Sequence, residues 1–149
     1  MESFKQVREI FDLSRGFHQR LSEYYGRLAS QAERQRAKML LDYLSRHEAN
    51  LQSCLERYEA EASNRILGVW CQYVPEAFSF DHLNASLANP AITVDEVTSL
   101  VLRLDDALIE FYRDLADNAE SAEVRELFES LLQLAVSEEV ALKREVAEF

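Results

Sequence analysis

Leu21-Ser-Glu-Tyr-Tyr-Gly-Arg-Leu-Ala-Ser-Gln-Ala32 and Leu108-Ile-Glu-Phe-Tyr-Arg-Asp-Leu-Ala-Asp-Asn-Ala119 align register for register. In both stretches the apolar residues recur three or four positions apart, the spacing of one face of a helix. Each is followed by a short polar turn and a second amphipathic segment that carries one glutamate within its apolar stripe. The chain therefore reads as a duplicated helix hairpin.

Working outward, the first segment runs from about Ser3 to Ala29, with Phe4, Val7, Phe11, His18, Leu21, Tyr25 and Leu28 on one stripe. The second begins near Ala32 and repeats Leu41, Leu44, Glu48, Leu51, Leu55, Tyr58 and Ala62. Its pattern continues through Ile66, Val69 and Trp70 until Pro75, which cannot extend a helix. The third starts after Thr93, where Thr93 and Glu96 make a capping box. Its stripe is Val94, Val97, Val101, Asp105, Leu108, Tyr112, Leu115 and Ala119. The fourth starts near Ser121 and carries Phe128, Leu132, Ala135, Glu139, Leu142, Val146 and Phe149. Turns at Ser30–Glu33 and Asn118–Ser121 are short enough to make the helices they join antiparallel neighbours.

The expected architecture is all-α: a four-helix bundle of two antiparallel hairpins with a long crossover between helices two and three. The whole chain, 1–149, forms one domain, with a helix pair over 3–72, a crossover over 73–92 and a second pair over 93–149. Three Gly and two Pro in 149 residues leave few breaks in those helices. The crossover is rich in aromatic residues, Tyr73, Phe78 and Phe80 among them, and Ser79 is placed to cap a short helix over Phe80–Leu87. A link between parallel helices must run the length of the bundle, so topology alone accounts for it. A lid or partner surface is the alternative use of its aromatic residues, with Trp70.

A formal net charge of −11 and a pI near 4.7 argue against binding nucleic acid or an anionic membrane, since both would repel such a surface. Arg34–Lys38 is a local basic run flanked by acids, and reads as a solvated helix face. Cys54 and Cys71 form no Cys-x-x-Cys pair, which leaves neither a zinc ribbon nor a disulfide framework and fits reduced thiols in the cytoplasm. Charges throughout the first 30 residues exclude a signal-peptide pattern, and no apolar run reaches membrane-spanning length. Gly-rich phosphate loops, Gly-x-Ser-x-Gly elbows and His-Glu-x-x-His zinc motifs are absent from the sequence.

Each stripe is interrupted by one ionisable residue: His18, Glu48, Asp105 and Glu139. Charged groups are rarely buried unless paired or bound to metal. Their heights match too, because 18 and 48 are equidistant from the first turn, and 105 and 139 from the second. All four are expected to converge at the bundle centre. His47 points about 100° away from Glu48 around the helix and reads as a hairpin-edge residue. Glu23, Glu110, Glu138 and His82 read as solvated.

With Tyr25-Gly-Arg-Leu-Ala, Tyr112-Arg-Asp-Leu-Ala and the crossover, the chain resembles the rubrerythrin branch of the ferritin-like superfamily over nearly all its length outside the crossover. The resemblance implies an inward Glu from helices one and three and a Glu-x-x-His motif from helices two and four, together holding two iron or manganese ions. Here His18 and Asp105 stand at the first pair of positions, and Glu48 and Glu139 match the motif glutamates. Leu51 and Leu142 replace both histidines.

Two functions follow. In the first, the bundle has lost its di-iron centre and binds no metal. It is then a non-catalytic binding or assembly module that forms a homo-oligomer, a dimer by the family resemblance. Its centre is a buried polar network, with protonated His18 paired to two carboxylates, the third carboxyl neutral, and Tyr25 and Tyr112 donating hydrogen bonds. In the second, His18, Glu48, Asp105 and Glu139 hold one divalent ion (iron, manganese or zinc), and the protein has oxidoreductase or metal-storage activity.

Overall fold

The computed structural model describes residues 4–75 and 89–149. Five helices and a two-stranded ribbon occur among them: β1 (Lys5–Gln6), α1 (Val7–Gln31), α2 (Gln35–Glu61), α3 (Asn64–Leu67), β2 (Trp70–Cys71), α4 (Val94–Asp117) and α5 (Ala122–Val146). Four of the helices are the expected amphipathic segments, paired as two antiparallel hairpins. Their starts are set by local chemistry. Thr93 Oγ1 accepts from the Glu96 amide while Glu96 accepts from the Thr93 amide, closing the capping box. Ser121 Oγ likewise accepts from the Val124 amide at the start of α5.

The inner stripes make one core. Phe11, Leu21, Tyr25, Leu41, Leu44, Leu55, Leu100, Tyr112 and Phe128 are all buried in it. The first hairpin is held especially close. Ser22 Oγ donates to the Ser45 carbonyl at 2.8 Å, and Ser45 Oγ donates to the Ser22 carbonyl at 2.7 Å. Gly26 lies beside this clasp, where an added Cβ would meet Ser45 Oγ at 3.4 Å. Small residues thus let two backbones approach and satisfy each other's side chains. The repeat puts Ile109 and Val136 at the equivalent places of the second hairpin, which therefore has no such clasp.

Two expected boundaries are corrected. The first helix starts at Val7, not near Ser3, and Phe4 is 69% exposed instead of joining the stripe. The second helix does not continue through Ile66, Val69 and Trp70 to Pro75. It stops at Glu61, and Ser63 Oγ accepts from the Ile66 amide to begin the one-turn α3. A serine that takes up backbone amides in this way competes with helix continuation. The chain then extends, and β2 pairs antiparallel with β1, Lys5 opposite Cys71 and Gln6 opposite Trp70. The Val7 amide adds a bond to the Val69 carbonyl at 3.0 Å.

That ribbon marks one end of the bundle, and the α1–α2 turn marks the other. The chain is back at the turn by Pro90, whose carbonyl accepts from the Glu33 amide at 2.8 Å. Arg34, read above as part of a solvated face, donates Nε–H to the Ala91 carbonyl at 2.8 Å. α2 and α4 therefore run the same way, as a crossover topology requires. The expected Ser79 cap, the helix over Phe80–Leu87, and the aromatic residues Phe78 and Phe80 lie outside the described residues, as does His82.

The glycines of α1 give a clean test of this packing. Nothing lies within 4 Å of a Cβ added at Gly16. Gly16→Ala should stabilise by about 0.5–1 kcal/mol, the usual gain for replacing a mid-helix glycine. Gly26→Leu should instead destabilise by about 1–3 kcal/mol, because its side chain must displace the serine clasp. Urea unfolding midpoints of the two variants should move in opposite directions.

Candidate functional site

The serine clasp sets the height of the centre. His18 is one turn before Ser22 on α1, and Glu48 is three residues after Ser45 on α2, so the two face each other across the hairpin. His18 Nδ1 and Glu48 Oε1 are 2.7 Å apart, and the side chains are only 5% and 2% exposed. At this distance Nδ1 donates to the carboxylate, a short charge-assisted bond in an apolar setting. The sequence expectation of two carboxylates on His18 reduces to one in the structure.

The second hairpin is arranged differently. Asp105 is largely buried; desolvation, then the Glu48 and Glu139 carboxylates, push its pKa from 3.8 up to about 8. Its proton is therefore held to higher pH than on an ordinary aspartate. Glu139 turns along its own helix, with Oε1 3.6 Å from Lys143 Nζ, and faces the Asp106 carboxyl. Burial and Asp106 raise its pKa, and Lys143 opposes them. Glu139 Oε2 is buried and closes no bond of normal geometry, although the Asp106 carboxyl lies close enough to share a proton with Glu139.

Three hydroxyls surround this level of the bundle. Tyr25 is fully buried, and its pKa lies well above 10 because of desolvation and then the Glu48 and Asp105 charges. Burial pushes the Tyr112 hydroxyl up to about 12, moderated by the facing Ser14 hydroxyl. Neither tyrosine makes the bond to a carboxylate expected of it: the Tyr25 hydroxyl is buried without a partner, and the Tyr112 and Ser14 hydroxyls face each other without closing a bond of normal geometry. Between the hairpins lies a cavity of about 20 Å³, lined by His18, Asp105, Tyr112 and Glu138 with leucines including Leu51 and Leu108. It has room for one water-sized molecule.

His47 and Glu138, placed by sequence at an edge and in solvent, meet across the hairpins, Nε2 to Oε2, at 3.5 Å. The Tyr43 ring stacks on His47 at 5.8 Å and lies 6.2 Å from Phe149. A clue was the four-residue spacing of Tyr43 and His47, which places both on one flank of α2.

The two-metal ligand set does not fit this centre. Leu51 and Leu142, at the positions where the resemblance would put histidines, are buried, 8% and 1% exposed, and alkyl groups cannot coordinate. Glu48 is engaged by His18, and Glu139 is drawn toward Lys143 and Asp106. Among the described residues, no three His, Cys, Asp or Glu side chains gather into a group able to hold a metal ion.

No protein-family model matches the chain. No curated protein matches it either. Solved structures do. A Thermotoga maritima protein, provisionally classed as ferritin-like diiron-carboxylate, is similar with a TM-score of 0.64 at 12% identity, over 99% of this chain and 96% of that one. A hypothetical protein from Pyrococcus furiosus is similar with a TM-score of 0.51 at 16% identity, over 95% and 88%. The architecture is thus an all-α, ferritin-like helical bundle. Identities this low speak to the fold, and the chemistry must be read from the side chains. No helix among the described residues is long and apolar enough to cross a membrane.

Removing one member of the His18–Glu48 pair leaves the other buried and uncompensated. His18→Ala should destabilise by about 3–5 kcal/mol, whereas the double variant His18→Leu/Glu48→Leu should recover much of that loss. A chemical-denaturation cycle reads this directly, and two additive single losses would refute mutual dependence.

Asp105 carries a pH signature. The folded state holds its proton up to about 8, and the unfolded state releases it near 3.8, so the folded state binds more protons between those values. Stability from this group is therefore greatest below 3.8, falls as pH rises, and levels off above 8. Asp105→Asn should flatten the dependence between pH 4 and 8 and raise the denaturation midpoint at pH 7.

Proposed function

We propose that this chain is a ferritin-like bundle whose metal centre has been replaced by a buried histidine–carboxylate pair, and that it works as a non-catalytic binding or assembly module. The observation that carries the reading is the 2.7 Å closure of His18 on Glu48, at the level where a di-metal centre would need both glutamates free. Leu51 and Leu142 support it, since both fill ligand positions with hydrocarbon. In this reading the centre supplies packing and register. The recognition surface lies elsewhere on a single cytoplasmic domain that associates with a second copy of itself.

One observation favours the competing reading of a single divalent iron, manganese or zinc ion held by His18, Glu48, Asp105 and Glu139. Asp105 lies within the field of both the Glu48 and the Glu139 carboxylates, an accumulation of like charge inside the bundle. A cation would relieve those charges, but it requires Glu48 to leave His18 and Glu139 to turn inward.

Metal content separates the two. Untagged protein purified without chelator, then incubated with iron, manganese or zinc and passed through a desalting column, should retain well under 0.1 ion per chain by mass spectrometry, an order-of-magnitude bound for a site lacking a ligand set. Near-stoichiometric metal that disappears in Glu48→Ala would overturn the proposal in favour of the metalloprotein.

A further inference from the structure

At the ribbon end, away from the His18–Glu48 centre, β2 and the α4–α5 turn enclose a cavity of about 170 Å³. Pockets for drug-sized ligands measure about 300–1,000 Å³, so this space suits only a smaller molecule. Trp70, Tyr73 and Phe128 contribute aromatic surface, with Leu115 and Val124 behind them. Trp70 is 57% exposed, a large indole left uncovered at the mouth.

The charged side chain in the lining is acidic, while Arg125 of α5 reaches the same turn and donates to the Ala119 carbonyl. Glu120 is the charged residue among those lining the cavity, and no Lys or Arg lines it among the described residues. Its carboxylate acts on the interior: the Cys71 thiol on the opposite wall is pushed up to about 11, first by burial and then by Glu120. The start of α5 does not offset this by offering an open anion site, because Ser121 Oγ already accepts from the Val124 amide. An anionic ligand would be repelled by Glu120, although solvent weakens that repulsion because the side chain is exposed. A neutral apolar one would leave that carboxylate partly desolvated beside it.

We propose that the cavity between β2 and the α4–α5 turn binds a small organic ammonium ion, with the apolar substituents of the cation against the aromatic wall and its charge opposite Glu120. An ammonium bearing methyl groups is held by the faces of Trp and Tyr rings through their quadrupoles and cannot be matched by a neutral isostere. The net charge of −11 adds a long-range bias toward cations. This site gives content to the binding role proposed above but uses different residues, so its failure leaves the metal-content result untouched.

Trp70 is the chain's single tryptophan and reports on its own cavity. Titrating the intact protein with tetramethylammonium chloride, at ionic strength held constant with sodium chloride, should give a saturable change in tryptophan fluorescence and a matching saturable heat by calorimetry. Glu120→Gln, at an exposed position, should weaken the apparent affinity about two- to fivefold, the range for an exposed ion pair, and tert-butanol at equal concentrations should give no saturable signal. Absence of saturation by both methods would overturn the proposal. So would an equal response to tert-butanol, or an affinity unchanged in Glu120→Gln.

Discussion

A carboxylate buried in a helical core needs a donor on the facing helix, and the arrangement of this bundle follows from how Glu48 obtains one. The His18–Glu48 bond is made only if α1 and α2 stand at one relative height and lie close together. Ser22 and Ser45 enforce both conditions one turn away, each hydroxyl bonding the other helix's backbone. A slip of either helix would break the clasp and strand the carboxylate together. Such an error is far more costly than a slip between two purely apolar stripes, because a buried group without its partner keeps its full desolvation penalty.

The second hairpin meets the same problem with different means. Burial and the neighbouring carboxylates raise the Asp105 pKa to about 8, and Glu139 leans on Lys143 at the edge of the bundle. Neither solution brings the four ionisable groups to one point. The His47–Glu138 pair and the Tyr43–Phe149 contact then tie α2 to α5 and the residues after it, adding a link along one flank to the shared apolar core. The centre is left as a small, mostly hydrocarbon-lined space instead of an open coordination sphere.

Much of this was legible in the residues. Periodicity located the four long helices, Thr93 and Ser121 marked the starts of the last two, and equal distances from the first turn placed His18 beside Glu48. What was not legible has specific causes. Asp105 and Asp106 differ by about 100° around α4, so a modest rotation decides which one faces Glu139, and stripe patterns do not resolve it. The apolar spacing through Ile66, Val69 and Trp70 looked like more helix because period alone cannot register Ser63 as a competitor for backbone amides. The β1–β2 pairing joins residues more than 60 positions apart through two-residue strands, too short to carry an alternating pattern. The Trp70–Glu120 cavity arises from that same pairing and is equally silent in sequence.

The repeat itself has a consequence for symmetry. Two separate, identical hairpins associating about a twofold axis would place the same residue at both inward positions of the first helices, two histidines or two aspartates. Two histidines would provide donors for both glutamates and leave no neutral acid, while two aspartates would gather four carboxyls with no cation. The mixed centre, His18 on one side and Asp105 on the other, is available only once both hairpins are on one chain and free to diverge. Covalent fusion of the halves is thus what allows an uneven charge arrangement inside a fold made of two antiparallel hairpins.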